Sequence, residues 1–241
     1  MALPKLNVLP NFELTIPSNG KKVRYRPYLV KEEKMLLLAA ESKDPKTILQ
    51  AMTDTIKDCV DGDIDVDKLA TFDIEYMFVQ IRAKSVGEVI KLKLKCDNEI
   101  DGEVCGFENE VNFKVDSIAV DVPKVDKIIK LTDDISVELK WPSYKDLSNT
   151  DLAEGEITTE AMFKLVAKSI AAVLTPEERF DLKDSTEKEI VDFIESLSSE
   201  QFGKISSFLG NIPKMKAQIN YTCEKCGKQH EIKLEGAADF F

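Results

Sequence analysis

Hydrophobic and polar residues alternate in several short stretches of the chain, and this alternation predicts β-strands with one buried face. The first two stretches are Phe12–Ile16 and Val23–Tyr25, which are joined by the turn sequence Pro17–Gly20. A later pair, Ile128–Leu131 and Ile135–Trp141, is also separated by turn residues. The pattern therefore predicts two β-hairpins that lie far apart in the sequence.

Elsewhere the apolar residues recur with the period of an α-helix. Asp44 followed by Pro45 is typical of a helix start, and an apolar face continues from Ile48 to Cys59. This pattern predicts that Cys59 packs in the core. A second helix is predicted over roughly Phe72–Ser85. The third quarter of the chain is predicted to be helical, with apolar stripes over Met162–Ile170, Ile190–Ile194 and Phe202–Ile212.

Two pairs of cysteines lie in turns between predicted strands. Cys96 and Cys105 belong to CDNEIDGEVCG, Cys223 and Cys226 belong to CEKCG, and glycine follows the second cysteine of each pair. A tight turn brings two thiolates close together, and the glycine permits a positive φ that leaves backbone N–H groups facing the sulfurs. Since four thiolates complete the tetrahedral shell of zinc, these cysteines are the predicted ligands of a structural zinc ion.

Other interpretations of the cysteines stay open at this point. They could be free thiols, or CEKCG could be a redox pair, although such a pair normally begins a helix and this one leads into a strand. His230 follows Cys226 by four residues and could replace a sulfur as a ligand. His230 shares one face of the predicted strand with Ile232 and Leu234. This register favours a histidine that packs in the core or contacts a metal ligand over a histidine that binds the metal directly.

Together these patterns predict an α+β fold with a small antiparallel β core, a zinc-ribbon-like four-cysteine site, flanking helices and an inserted helical subdomain. We expect the N-terminal hairpin, the cysteine-bearing strands and the Ile128–Trp141 hairpin to form one sheet. Because the two cysteine pairs are far apart, the chain between them must leave and rejoin the same domain. The predicted limits are 1–141 with 216–241 for the core and 142–215 for the insert.

Charge and composition argue against several classes of function. The 241 residues carry 33 basic and 44 acidic side chains, so a formal charge of −11 disfavours binding to nucleic acid or to an anionic membrane. No apolar run approaches the length of a membrane span, and the start of the chain does not look like a secretion signal. The chain has no GxSxG, HExxH or glycine-rich phosphate loop, so we expect neither an enzyme nor a small-molecule substrate.

A zinc-ribbon module that binds nucleic acid is the alternative interpretation. It rests on two sets of basic residues, one in a predicted strand and one in a later loop and strand. The first set is followed by Glu108 and Glu110, and no aromatic residues interleave the lysines as stacking platforms. The residues of the two sets are Lys91, Lys93, Lys95 and Lys124, Lys127, Lys130.

Three long stretches of the sequence resemble one known family. They are LPKLNVLPNFELTIPSNGKKVRYRPYLVKEEKMLLLAAES, FDIEYMFVQIRAKSVGE and FLGNIPKMKAQINYTCEKCGKQHEIKLEG. With them the chain resembles the baseplate hub proteins of T-even-like contractile-tailed phages. The resemblance implies a structural or assembly protein of the virion tail baseplate, assembled in the host cytoplasm, whose partners are other hub proteins and the tape-measure protein. By position it also implies that the four cysteines bind a metal.

The two ends of the chain are candidate docking segments. The Pro-punctuated stretch Leu3–Pro10 is either an unstructured terminus or an extended segment that adds to a neighbour. The terminal Asp239–Phe241 carries two aromatic side chains, which either dock on a partner or close over their own core.

Overall fold

A computed structural model of the protein describes residues 9–115, 118–148 and 158–235. The chain divides into two compact units, the first made of Met1–Val66, Phe72–Asp121 and Lys214–Phe241 and the second of Asp67–Thr71 and Val122–Pro213. Of the candidate docking segments, residues 3–8 of Leu3–Pro10 and the whole of Asp239–Phe241 lie outside the described residues. Among the residues described, no helix combines the length and the apolar character that crossing a membrane requires.

Helices and short antiparallel strands alternate along the described chain. The helices are α1 (Val30–Ser42), α2 (Pro45–Cys59), α3 (Thr71–Val86), α4 (Tyr144–Ser148), α5 (Thr159–Ser169), α6 (Glu187–Glu195) and α7 (Ser199–Leu209). The strands are β1 (Phe12–Thr15), β2 (Lys22–Tyr25), β3 (Val60–Asp61), β4 (Val89–Lys95), β5 (Glu99–Ile100), β6 (Glu103–Val104), β7 (Glu108–Lys114), β8 (Ala119–Val120), β9 (Ile128–Lys130), β10 (Ser136–Leu139), β11 (Ile170–Leu174), β12 (Arg179–Asp181), β13 (Met215–Thr222) and β14 (Gln229–Glu235).

The described strands pair in several small sheets. The first unit contains the sheets β1-β2-β3, β4-β7 and β14-β13-β8, together with the short hairpin β5-β6. The second unit contains the sheet β12-β11-β10-β9. Every pairing among these strands is antiparallel, and each of the two units contains helices. The predicted α+β class, a mixture of helices and antiparallel sheet, is confirmed.

The prediction of one shared sheet is wrong. The hairpin β9-β10 pairs with β11 and lies in the second unit, whereas the cysteine-bearing strands form sheets of the first unit. The predicted helical stripe Met162–Ile170 ends at the first residue of β11, and the strand itself is not predicted, because its sequence IAAVL is apolar throughout and follows α5 without a turn. A central strand covered on both faces does not show the alternation by which a strand is recognised. The predicted limits of the insert, 142 and 215, stay a prediction.

The core of the first unit is built on α3. The helix start at Asp44 is confirmed for α2, since the Asp44 Oδ2 accepts a 2.9 Å hydrogen bond from the Thr47 N–H and Pro45 occupies the first turn. Apolar side chains of α2 and α3 are buried, and Cys59 at the end of α2 is buried as predicted. The largest of these buried side chains are Ile56, Phe72, Ile74, Met77, Phe78 and Ile81.

In the second unit, helix α5 contacts strand β11 and the helices α6 and α7. The Trp141 ring stacks on Phe208 of α7, with ring centroids 4.1 Å apart. Capping boxes begin two helices of this unit, from Thr186 to Glu189 in α6 and from Ser198 to Gln201 in α7. Since Trp141 is the only tryptophan of the chain, its fluorescence reports on this unit.

A buried ion pair ties β2 to the start of α1. The Glu32 carboxylate is fully buried and accepts hydrogen bonds from the Arg26 Nη2 and the Leu29 N–H, both at 2.8 Å, with the Lys31 ammonium 3.0 Å away. Arg26 also donates to the Asp58 carbonyl, which belongs to α2. Burial acts to raise the pKa of Glu32, but these donors outweigh it and lower the pKa to about 2.

We expect Glu32→Gln to lower the free energy of unfolding by about 2–4 kcal/mol at pH 7, because the Arg26 charge then loses its buried partner. The folded pKa lies below the ordinary value of 4.5, so the stabilisation is present above pH 4.5 and is lost as the pH falls towards 2. Urea unfolding at several pH values measures both effects.

The matched control is Glu41→Gln, which changes an exposed carboxylate of the same helix. Its unfolding free energy at pH 7 should stay within about 0.5 kcal/mol of the wild type, as is usual for a substitution at the surface. A Glu32→Gln variant whose deficit were as large at pH 2.5 as at pH 7 would contradict the assignment.

Candidate metal centre

The four cysteines of the two predicted pairs meet in the first unit. Cys96 follows β4, Cys105 lies between β6 and β7, and Cys223 and Cys226 lie in the turn between β13 and β14. All four sulfurs lie within 4.8 Å of one another. The Cys96 and Cys226 sulfurs are 3.6 Å apart, and those of Cys105 and Cys223 are 4.0 Å apart. The structure thus brings together every cysteine that the sequence singled out as a ligand.

These sulfur separations fit a tetrahedral metal ion. A zinc–sulfur bond of about 2.3 Å gives tetrahedral edges of about 3.8 Å, whereas a disulfide would bring two sulfurs to about 2.05 Å. All the cysteines of the chain are free, and the four in the cluster are buried or half-buried. Four soft donors at this spacing could hold zinc or another thiophilic metal and would leave no coordination position for a substrate.

The two cysteine turns have the same pair of backbone hydrogen bonds, although the turns differ in length. In the first, the Cys96 N–H donates to the Phe107 carbonyl at 2.9 Å, and the Gly106 N–H donates back to the Cys96 carbonyl at 3.0 Å. In the second, the Cys223 N–H donates to Lys228 and the Gly227 N–H returns to Cys223, both at 2.8 Å. Both glycines have positive φ, 60° and 74°, as the sequence analysis expected.

The extra residues of the first turn form a separate hairpin. Residues 99–104 fold as β5 and β6, and Asp101 and Gly102 at the bend both have positive φ. The Cys105 N–H donates to the Asn98 carbonyl at 2.8 Å, which closes the base of the hairpin. Without residues 99–104 the sequence would be CDNCG, the counterpart of CEKCG. The first turn is therefore a two-residue cysteine turn that carries an inserted hairpin.

Backbone N–H groups of each turn face the sulfur of its first cysteine, but the two thiols differ in pKa. Burial acts to raise the pKa of Cys223, but the N–H groups of Cys226 and Lys225 that face its sulfur outweigh burial and lower the pKa to about 6. At Cys96, burial together with the neighbouring cysteines outweighs the Asn98 N–H that faces its sulfur and raises the pKa to about 12. Four thiols this close cannot all ionise unless a cation compensates the charge. A bound divalent metal would supply that compensation.

Two further side chains lie against the sulfurs. The His230 Nε2 is 3.2 Å from the Cys96 sulfur, and the Asn98 Nδ2 is 3.6 Å from the Cys226 sulfur. His230 lies outside the group of mutually close ligand atoms, which among the described residues consists of the four cysteines. Its position matches the expectation of a histidine that contacts a ligand rather than acting as one.

Asn109 connects the two cysteine turns and was missed in the sequence analysis. Its side chain is buried, its Oδ1 accepts a 2.9 Å hydrogen bond from the Glu224 N–H in the second turn, and its Nδ2 donates to the Phe107 carbonyl. The available signal was its register, since Asn109 occupies the inward side of β7 with Val111 and Phe113. A polar residue on an inward register needs a buried partner.

The lysines of β4 face acidic residues on the neighbouring strand. Lys91 pairs with Glu110 at 2.8 Å, and Lys95 lies 3.9 Å from Glu108. These cross-strand pairs reduce the positive potential that a phosphate backbone would meet on this face. They weigh against the interpretation of the strand as a nucleic-acid surface.

The redox interpretation of CEKCG does not match the local structure. The pair lies between two paired strands, β13 and β14, and a thioredoxin-like pair requires a helix N-terminus. The fifth cysteine, Cys59, is buried away from the cluster, and burial raises the pKa of its thiol to about 11. Cys59 is therefore a core residue with little thiolate character, in agreement with the sequence analysis.

Comparison with known proteins gives one match. Residues 9–241 match the family described as T4 bacteriophage base plate protein. No curated protein and no solved structure matches the chain. The matched range includes all the described residues and therefore both cysteine turns.

We expect deletion of residues 99–104 to leave metal binding intact. Asn98 and Cys105 are hydrogen-bonded across the hairpin base, so their Cα atoms need to approach by only about 2 Å to become consecutive. Titration of the purified protein with Co²⁺ should give the absorption of a tetrahedral four-thiolate site in the wild type and in the deletion variant.

Cys105→Ser is the contrasting variant, because it removes one sulfur and keeps the hairpin. It should lose the four-thiolate spectrum. If the deletion variant lost the spectrum as Cys105→Ser does, the hairpin would be part of the metal site and the equivalence of the two turns would be refuted.

Proposed function

Because the chain belongs to the T4 bacteriophage base plate protein family, we propose that it is a non-enzymatic structural or assembly component of the central hub of the phage tail baseplate. The observation that carries this proposal is the family match over residues 9–241, which spans nearly the whole chain. The protein thus belongs to the tail baseplate and acts together with other baseplate proteins. The finer assignment to the hub rests on the sequence resemblance.

The proposal includes a structural zinc ion held by the four cysteines of the cluster. Support comes from the sulfur spacing, from the N–H groups that face the thiols and from the similar backbone of the two turns. A closed shell of four thiolates contributes to folding and offers no site for catalysis. Its role here is to join β4 and β7 to β13 and β14. The proposed ligands are Cys96, Cys105, Cys223 and Cys226.

We also propose that the surface of the protein binds other hub proteins and the tape-measure protein. The first unit exposes several apolar side chains on α1, including Leu37 and Leu38, which are 60% and 56% exposed. Beside them is a groove of about 380 Å³ lined mainly by apolar residues, among them Met52, Phe78 and Val86. Exposed apolar surface next to a groove is typical of a face that a partner covers.

Removal of the metal should destabilise the first unit. We expect a strong chelator to lower the melting temperature of the zinc-loaded protein by about 10 °C or more, because metal binding contributes directly to folding. Calorimetry measures the change, and Trp141 fluorescence follows the second unit separately.

Two cysteine variants serve as controls for the chelator experiment. Cys96→Ser should melt like the chelated wild type, whereas Cys59→Ser should keep its zinc and its response to the chelator. A wild-type protein that is purified without metal, takes up none and melts at the same temperature with chelator would refute the zinc site.

Quantitative mass spectrometry of purified virions and of infected-cell lysate tests the baseplate role. We expect the chain in virions in fixed proportion to the hub proteins if it is a structural subunit. If it is an assembly factor, we expect it in lysate on sedimenting hub intermediates and not in virions. Its absence from both virions and hub intermediates would refute the proposal.

A further inference from the structure

The thiol cluster has one edge that is contacted by side-chain nitrogen atoms. The His230 Nε2 is 3.2 Å from the Cys96 sulfur and the Asn98 Nδ2 is 3.6 Å from the Cys226 sulfur, while the two sulfurs are themselves 3.6 Å apart. Backbone N–H groups face the first cysteine of each turn as well, that of Asn98 at the Cys96 sulfur and those of Lys225 and Cys226 at the Cys223 sulfur. The edge between Cys96 and Cys226 therefore has side-chain contacts in addition to the backbone, and substitution can change them.

The His230 ring is held in place on both sides. On the neighbouring strand it is paired with Tyr221, and the two rings stack with centroids 4.8 Å apart and an interplanar angle of 14°. The side chain is only 10% exposed, and its Nδ1 lies 3.4 Å from the exposed Asp97 carboxylate. With the ring plane fixed in this way, the Nε2 points at sulfur and not at solvent.

A metal-bound thiolate can only accept a hydrogen bond, so the nitrogen facing it must carry the hydrogen. An N–H that donates to a ligand sulfur shares the negative charge of a four-thiolate site, which has two more negative charges than the zinc ion can neutralise. It also fixes the direction of the sulfur lone pairs. Contacts of this kind typically change metal affinity by about 10–100-fold when they are removed.

We propose that His230 is a positioning residue of the metal centre, whose Nε2–H donates to the Cys96 thiolate, with Asn98 in the same role at Cys226. The inference rests on the proposed zinc site and adds to it the residues that orient and stabilise its ligands. It also explains why a histidine lies at an inward-facing end of the β13-β14 ladder without acting as a ligand.

Two substitutions of His230 separate the hydrogen bond from packing. His230→Phe keeps a ring to stack on Tyr221 and removes the N–H, whereas His230→Gln has an amide N–H at about the distance of Nε2. We expect His230→Phe to bind zinc about 10–100-fold more weakly in competition with a chelating dye, and His230→Gln to stay within about threefold of the wild type. With Co²⁺ in the site, the sulfur-to-metal charge-transfer band should shift to lower energy in His230→Phe alone.

Tyr221→Phe is the matched control, since it keeps the stacked ring and removes a hydroxyl that has no hydrogen-bond partner in the described part of the chain. It should bind zinc like the wild type. Equal affinity and an unshifted band in His230→Phe, or an equal loss in His230→Gln, would overturn the role of the N–H. Those results leave wild-type zinc binding intact, whereas a wild type that binds no metal would refute the metal site itself and this inference with it.

Discussion

The meeting of four thiols from two distant stretches of chain constrains the rest of the first unit. Cys96 and Cys226 are 130 residues apart in sequence, and closing a loop of that length costs roughly 4 kcal/mol of chain entropy in addition to a constant term. The hydrogen-bonded pairing of β8 with β13 covers only two residue pairs. A metal ion at the cluster would provide the strong, directional link that so long a closure needs, and Asn109 adds a buried hydrogen bond across the same junction.

Both cysteine turns present their sulfurs in the same way because backbone geometry, and not loop length, decides where the sulfurs point. In each turn the N–H of the first cysteine donates to the carbonyl of the residue after glycine, and the glycine N–H donates back to the carbonyl of that cysteine. The inserted hairpin leaves this pattern unchanged, since it begins and ends at one hydrogen-bonded pair. A search that required two residues between the cysteines would have missed the first turn, although its structure is that of the shorter one.

Much of the site could be predicted from the sequence, because its signals are local. Cysteines in turns between alternating strands, each pair followed by glycine, identify all four candidate ligands, and helical periodicity identifies α2, α3, α6 and α7. What could not be predicted depends on contacts between distant residues. Strand β11 lacks alternation because it is central in its sheet, and the partner of Asn109 is 115 residues away in sequence. Likewise, only the structure shows that the Ile128–Leu139 hairpin pairs with β11.

The longer segment of the second unit, Val122–Pro213, is bounded by neighbouring strands of one sheet. The chain leaves the first unit just after β8 and returns just before β13, and Val120 and Met215 form a residue pair in that ladder. For the first unit, residues 121–214 are therefore one long connection, and the pairing of β8 with β13 holds its two ends together. Doubling the length of such a loop adds only about 0.6 kcal/mol to its closure cost. The entropy of closing this junction therefore places little constraint on the length of 122–213, and insertions or deletions there change the cost of bringing the four cysteines together only slightly.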